Sequence, residues 1–131
     1  MDGVSKSFPA VMEAFQLATK ASRVGFDWPD AQGALAKVSE ETMELERAAS
    51  GTPPASKETE GEVGDLLFAV VNAARLLGVD PESALKGANR KFRRRFAYIE
   101  GKLRERGRGP AESTLEEMDA LWDEAKGRET D

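Results

Sequence analysis

The chain contains no cysteine and no histidine among its 131 residues. Zinc sites built on thiolate or imidazole are therefore excluded, as is nucleophilic catalysis by Cys–His or Ser–His pairs. Any chemistry must come from carboxylates, cations and hydroxyls, or from a metal that prefers oxygen. Long apolar runs are missing too. The longest mostly apolar stretch, Leu66–Leu77, is interrupted by Asn72 and Arg75 and is shorter than the ~20 residues a bilayer-spanning helix needs. The amino terminus, MDGVSKSF, has no apolar signal region. With neither signal nor cysteine, the expected compartment is the cytoplasm, with no membrane partner.

A basic face is also lacking. The 19 Lys and Arg are outnumbered by 24 Asp and Glu, for a formal net charge of −5. That balance argues against duplex nucleic acid as a partner, because such binders carry a basic surface. Charged residues make up 33% of the chain, above the ~25% of an average soluble domain, but apolar content is ordinary and the composition is not that of a disordered segment. The length points to one domain, residues 1–131, large enough for a core and small enough that oligomerisation is plausible.

What is present reads as five helices and no convincing strand. Ser7 is expected to cap a first helix with Pro9 in its first turn. Phe8, Val11, Met12, Phe15 and Ala18 follow helical spacing, and Gly25 ends the segment. GFDWPDAQG is a loop in which Trp28, before Pro29, is held extended. The second helix is expected from about Asp30 to Ala49, with Leu35, Val38, Thr42, Leu45 and Ala49 as its stripe. SGTPPASK is a turn-rich connector. A third helix spans about Lys57 to Leu77 and stops at Gly78. Asp80–Pro81 is a cap followed by proline at the first helical position. The fourth helix carries Leu85, Ala88, Phe92, Phe96, Ile99 and Leu103 as far as Arg106. RGRGP breaks the chain, and Ser113–Glu116 has capping-box spacing for a last helix with Leu115, Met118, Leu121 and Trp122. The fold class is an all-α helical bundle.

The third helix is apolar nearly all round. On a wheel Val63, Leu66, Leu67, Val70, Ala74 and Leu77 share one face, while Phe68, Ala69 and Leu76 lie on the other side near Asp65 and Asn72. Such a helix is central and covered on two sides, one of them by a second subunit if the chain dimerises. Two carboxylates intrude on it. Glu62 and Asp65 are three residues apart, about 60° on the wheel, and Asp is a weak helix former. Acidic residues in a first turn favour the helix dipole, which accounts for Glu58 and Glu60 but poorly for Asp65. The second helix offers a matching pair, Glu41 and Glu44, in KVSEETMEL. Taken alone, these two read equally as a solvated face, as do Glu40 and Glu46. If the two helices pack antiparallel, four carboxylates converge. Like charges ~6 Å apart repel by roughly 3 kcal/mol at an effective dielectric near 20. Such a group needs a cation, and oxygen-only ligands suit Mg²⁺ or Mn²⁺.

The fourth helix supplies positive charge in NRKFRRRF. Lys91 and Arg95, four apart, border the Phe92/Phe96/Ile99 stripe, and Arg93 and Arg94 point further into solvent. Cations beside a divalent-metal cluster are what a polyphosphate requires. Ordinary ion pairing to neighbouring acidic helices would use the same residues. Asn89 falls on the opposite edge of the stripe.

These motifs together resemble the MazG family of nucleoside triphosphate pyrophosphohydrolases. The resemblance runs from about Phe8 to Trp122 through VGFDWPDAQGALAKVSEETMEL and EVGDLLFAVVNAARLLGVDPESALKGANRKFRRRF. It is closest to the carboxy-terminal, catalytic half of two-domain members, which are about twice as long. E-E-x-x-E, E-x-G-D-L-L and N-x-K-F-x-R-R in combination are highly specific. The resemblance implies an all-α NTP-pyrophosphatase bundle that forms a homodimer or higher homo-oligomer, and an Mg²⁺ cofactor with Mn²⁺ as substitute. Its metal carboxylates map onto Glu41, Glu44, Glu62 and Asp65. Its substrate contacts map onto Lys91 and Arg95, with Asn89 in the same motif and Trp122 at the nucleoside, unless Trp122 is plain core beside Leu121. A lysine that the family places just before the E-x-x-D pair is Glu58 here, with Lys57 the nearest. The implied reaction takes a nucleoside triphosphate to monophosphate and pyrophosphate, with non-canonical or damaged nucleotides as a possible substrate class. The resemblance also leaves as an alternative a neighbouring enzyme of the same superfamily, dUTPase/dCTPase-like or a phosphoribosyl-ATP pyrophosphohydrolase. A different class remains in a non-catalytic helical oligomer that binds nucleotide or a protein partner.

Overall fold

The computed structural model describes residue 1, residues 3–51 and residues 56–129. Its elements are five α-helices, α1 (Ala10–Ser22), α2 (Ala31–Ala49), α3 (Lys57–Leu76), α4 (Pro81–Glu105) and α5 (Leu115–Arg128), with one 3₁₀ turn at Pro110–Glu112. No strand occurs among the described residues, so the all-α expectation holds. The centre of the connector expected between the second and third helices, residues 52–55, lies outside the described residues.

Local chemistry sets most boundaries. Asp30 caps α2 by accepting from the Gly33 amide at 3.1 Å, and Ser56 caps α3 through the Thr59 amide at 3.3 Å. Each cap satisfies an amide that the first helical turn leaves unpaired. At the start of α4, Asp80 accepts from the Glu82 amide and the Ser83 hydroxyl, both at 3.0 Å. Gly25 and Gly78 adopt positive φ, 91° and 74°. Each lets the next residue's amide reach back to a carbonyl of the last helical turn, Phe26 to Ala21 and Val79 to Ala74.

Two expected caps move. Ser7 bonds to Ser5 rather than to a helix, and α1 starts one residue after Pro9, which occupies the cap position without a side-chain bond. Proline needs no amide partner there, so the helix begins without a hydroxyl cap. Thr114, not Ser113, caps α5 through the Glu117 amide at 3.1 Å. Ser113 instead donates its hydroxyl to the Glu117 carboxylate at 2.6 Å.

The chain divides into two compact units, Met1–Ala84 and Leu85–Asp131, with the boundary inside α4. In the first unit α3 packs along α2 and, over a shorter length, on α1. The α2–α3 pair runs antiparallel. Near the connector the Thr59 hydroxyl donates to the Ala48 carbonyl at 3.5 Å, and at the other end Ala34 and Asn72 face one cleft.

The seam between them is not the one that large apolar residues suggest. The buried positions of α2 are Ala34, Glu41 and Ala48, spaced by seven, and those of α3 are Ala69, Val71 and Ala73. Small residues let two helix axes approach closely. The expected stripe is displaced by one position, so Leu35 and Thr42 are exposed. On α3 the face that carries Val63, Leu67, Val70 and Leu77 has all four of them exposed in this chain.

The second unit has its own core. Ile99 and Leu103 of α4 meet Leu121 of α5, with Phe96, Met118 and Trp122 around them. Leu103 has no exposed surface, which places its burial in the ~1.5–3 kcal/mol range of a fully covered aliphatic side chain. Glu117 closes the α4–α5 turn, accepting from Arg106 at 2.7 Å, from Ser113, and from both terminal nitrogens of Arg108. The Arg108 pairing, followed by Ser113 and Arg106, holds its carboxyl down at about 2, against an ordinary value of 4.5. A depressed carboxylate pKa contributes stability that is complete above the ordinary value and is lost as pH falls through the folded one. Glu117→Gln is therefore expected to lower the melting temperature at pH 7. The difference from the parent should shrink from about pH 4.5 and vanish near pH 2 in a thermal-melt series.

Candidate active site

Glu41 occupies the middle of the alanine seam of α2 and is 8% exposed, the one buried charged residue among those described. Its carboxylate takes a cation from its own helix: Lys37, one turn earlier, donates to it at 3.0 Å and to Glu40 at 3.4 Å. The hydrogen bond to Glu41 is the main cause of a raised Lys37 pKa, so this lysine is firmly charged.

Across the seam α3 brings Glu62 and Asp65 to the same place. One carboxylate oxygen from each of Glu41, Glu62 and Asp65 lies within 4.8 Å of the others. Glu44, expected as the fourth member, is not in that group. It stands one turn along α2, half exposed, and accepts from Arg47 at 2.7 Å. It is still close enough to act on Glu62. Burial raises the Glu62 pKa, reinforced in turn by the charges of Asp65, Glu41, Glu44 and Glu58. Three acids and one lysine leave an uncompensated negative charge, which makes this group a candidate cation site.

Glu41 and Asp65 also stand on the wall of a cleft of about 910 Å³. The rest of the wall is mostly apolar, with α1 supplying Leu17 and Ala18 and α3 supplying Phe68 and Ala69. The α1–α2 loop adds Phe26 and Trp28, 82% and 41% exposed. Trp28 is held from two sides. Asp27 accepts from its amide at 2.8 Å, and its ring lies over Gly33, where a Cβ would stand 3.2 Å from the ring. Phe26, Trp28, Lys37, Phe68 and Asn72 were not among the sequence-derived site residues. The Lys37/Glu41 spacing of four, and the interruption of an apolar helix by Asn72, were the available signals.

The expected substrate contacts all lie in the second unit. Lys91 and Asn89 are exposed. Asn89 shares a shallow groove with Lys86, Arg90 and Arg93. Arg95 is engaged twice. It bonds Glu129 through Nε and Nη2, each at 2.9 Å, and its guanidinium stands 5.1 Å from the centre of the Trp122 ring. Trp122 itself packs on Phe92 at 5.6 Å and on the α4–α5 core. Both readings that the sequence left open for these residues, ion pairing for Arg95 and core packing for Trp122, describe contacts they make here.

A helical hairpin that gathers three acids at the edge of an apolar, aromatic-rimmed cleft defines an all-α domain suited to oxygen-ligand chemistry. Comparison with known proteins supplies the family. A model of the MazG nucleotide pyrophosphohydrolase domain matches residues 30–99. The nucleoside triphosphate pyrophosphohydrolase/pyrophosphatase MazG of Thermotoga maritima is 44% identical over 119 residues, covering 91% of this chain and 45% of that protein. The nucleoside triphosphate pyrophosphohydrolase of Escherichia coli K12 is 39% identical over 131 residues, the whole of this chain and 50% of that protein. Bacillus subtilis protein YabN, described as uncharacterized, is 50% identical over 76 residues. The chain belongs to the MazG nucleotide pyrophosphohydrolase family, and it spans about half the length of the first two relatives.

The raised Glu62 pKa has a testable sign. A carboxyl raised in the folded state destabilises it once ionised; the penalty is absent below the ordinary value of 4.5 and develops as pH rises through the folded value. In metal-free buffer, Glu62→Gln should melt higher than the parent at pH 7 and close to it at pH 4. A lower melting temperature at pH 7 would contradict a folded state that disfavours the ionised Glu62 carboxylate.

Proposed function

We propose that this chain is the catalytic domain of an Mg²⁺-dependent nucleoside triphosphate pyrophosphohydrolase, acting as one functional domain over residues 1–131. The reaction converts a nucleoside triphosphate to its monophosphate and pyrophosphate. The observation that carries this reading is the convergence of Glu41, Glu62 and Asp65 on the wall of a cleft roomy enough for a nucleoside.

The donor set fits the metal. The sequence offers no thiolate or imidazole, and clustered carboxylate oxygens suit a hard divalent cation, with Mn²⁺ as the substitute. Glu41, Glu62 and Asp65 would hold it, with Glu44 the proposed fourth ligand or helper. Bound there, Mg²⁺ supplies Lewis-acid polarisation of the phosphoryl oxygens and a more acidic water. The chain's own residues do the rest. Lys37 fixes the buried Glu41 carboxylate. Glu41 or Glu44 takes the proton of the attacking water, Glu44 standing outside the close cluster. Lys91 and Arg95 neutralise the pyrophosphate leaving group, with Asn89 and Trp122 as further substrate contacts. Family resemblance supports these four assignments, and in this reading Arg95 exchanges Glu129 for phosphate.

The exposed face of α3 supports a homodimer, since Val63, Leu67, Val70 and Leu77 form an apolar surface on a central helix. No helix among the described residues is long and apolar enough to cross a membrane, and the proposed setting is the cytoplasmic nucleotide pool, where clearance of non-canonical or damaged triphosphates is the proposed role.

Asp65→Asn should lose at least about a hundredfold in Mg²⁺-dependent pyrophosphate release, if it removes a ligand whose charge the transition state needs. Wild-type turnover in a folded Asp65→Asn protein would remove the metal-site reading, and no pyrophosphate release from any triphosphate by the parent would remove the hydrolase reading. Leu67→Glu should convert a dimeric parent to monomer in light scattering, and an unchanged mass would place the interface elsewhere.

A further inference from the structure

The cleft beside the acid cluster contains a polar group that neither the metal nor the phosphate chemistry uses. Asn72, on α3, lines it between Phe68 and the α1–α2 loop residues. Its side-chain orientation is determined by Arg75 one turn later, whose Nε donates to Asn72 Oδ1 at 3.0 Å. Arginine has five donors and no acceptor. The amide oxygen must therefore face Arg75, and the amide nitrogen, a donor, takes the other side. Arg75 is fixed in turn by Asp27, whose Oδ1 accepts from Arg75 Nη2 at 2.5 Å and from the Trp28 amide. Both partners are largely covered, with side chains 14% and 21% exposed, so the chain Asp27–Arg75–Asn72 is not a loose surface pair.

This arrangement has a recognition consequence. Asp27 also lines the cleft. Its Oδ2 takes neither of those two bonds and can only accept, while Asn72 offers an amide donor. One guanidinium thus ties together a donor and an acceptor on one cleft wall, with Trp28 and Phe68 providing flat apolar surface beside them.

We infer that Asn72 and Asp27 form a base-reading pair that selects nucleobases with a lactam edge, a ring carbonyl next to a ring N–H. Guanine, hypoxanthine, uracil and thymine present that edge; Asn72 donates to the carbonyl and Asp27 accepts from the N–H. Adenine and cytosine present an amino group next to a bare ring nitrogen. That order sets donor against donor and acceptor against acceptor, and a site built to hydrogen-bond one edge rejects the other strongly. Arg75 is a positioning residue: it prevents the Asn72 amide from turning over to suit an amino group. This inference rests on the cleft being the nucleoside site of the proposed hydrolase.

The test compares matched pairs. Pyrophosphate release is measured for ITP against ATP and for UTP against CTP, and binding of the α,β-methylene analogues of GTP and ATP is measured by calorimetry with Mg²⁺. The parent should favour the lactam member by about tenfold or more in kcat/KM and in affinity. Asn72→Asp is nearly isosteric and keeps an acceptor for Arg75 but removes the donor, so the ratios should fall toward one. Arg75→Met frees the amide and should lower them as well. A merely structural role for Arg75 would reduce turnover of both members together and leave their ratio intact. Parent ratios near one, or ratios unchanged in folded Asn72→Asp, overturn the inference while leaving the hydrolase reading in place. Binding preference without any turnover supports the inference and overturns the hydrolase reading.

Discussion

The structure of the first unit turns on burying one carboxylate. Glu41 sits where the alanine spacing of α2 calls for another small residue, and among the described residues the cation paired with it is Lys37, one turn away on its own helix. A buried, partly compensated charge is expensive, and natural proteins retain one where chemistry requires it. Everything nearby follows from keeping that group in place. Ala34 and Ala48 on either side bring α3 close, and α3 then has no choice but to present Glu62 and Asp65 to the same point. Burial, reinforced by the neighbouring carboxylates, raises the Glu62 pKa and leaves a site whose electrostatics would improve if a cation entered.

The same close approach divides the apolar residues between two jobs. Because alanines make the seam, the large side chains of α3 are not consumed by it. Phe68 goes to the cleft wall, and Val63, Leu67, Val70 and Leu77 remain on an outward face. A helix with three different neighbours, an acid cluster, a cleft and an open apolar face, must be apolar nearly all round, and its few polar residues must each have a task. Glu62 and Asp65 serve the cluster. Asn72 and Arg75 form a bonded pair that reaches back to the loop at Asp27.

That loop links local conformation to the site. Trp28 precedes Pro29, its amide is bonded to Asp27, and its ring covers Gly33 in the first turn of α2. Asp30 then caps the helix that carries Lys37 and Glu41. Five consecutive residues, Phe26–Asp30, therefore contribute cleft surface, an anchor for Arg75 and the start of the acidic helix. The second unit is organised differently, around the Ile99/Leu103/Leu121 core and the Glu117 turn, with Arg95 held between Glu129 and the Trp122 ring.

Helix number, type and most boundaries were legible in the sequence, because they depend on neighbours within a few residues: proline and glycine punctuation, Asp30 and Asp80 as caps, periodic apolar positions. The Glu62/Asp65 pair was legible for the same reason, since carboxylates three apart on a helix that is otherwise apolar are a local anomaly, whereas Glu41 and Glu44 taken alone read equally as a solvated face. Which of them meet was not. A period of 3.6 identifies a face but not its partner, and weighting by size favoured Leu35 and Leu67 over the alanines that form the seam. That preference shifted α2 by one position and gave no sign that Lys37, Trp28 and Asn72 line one cleft with Glu41 and Asp65. Residue chemistry determined that the chain would be helical and that its helices would carry closely spaced acids. Only tertiary packing decided that three acids, not four, gather closely, and that an aromatic cleft opens next to them, because both depend on how near two helix axes come.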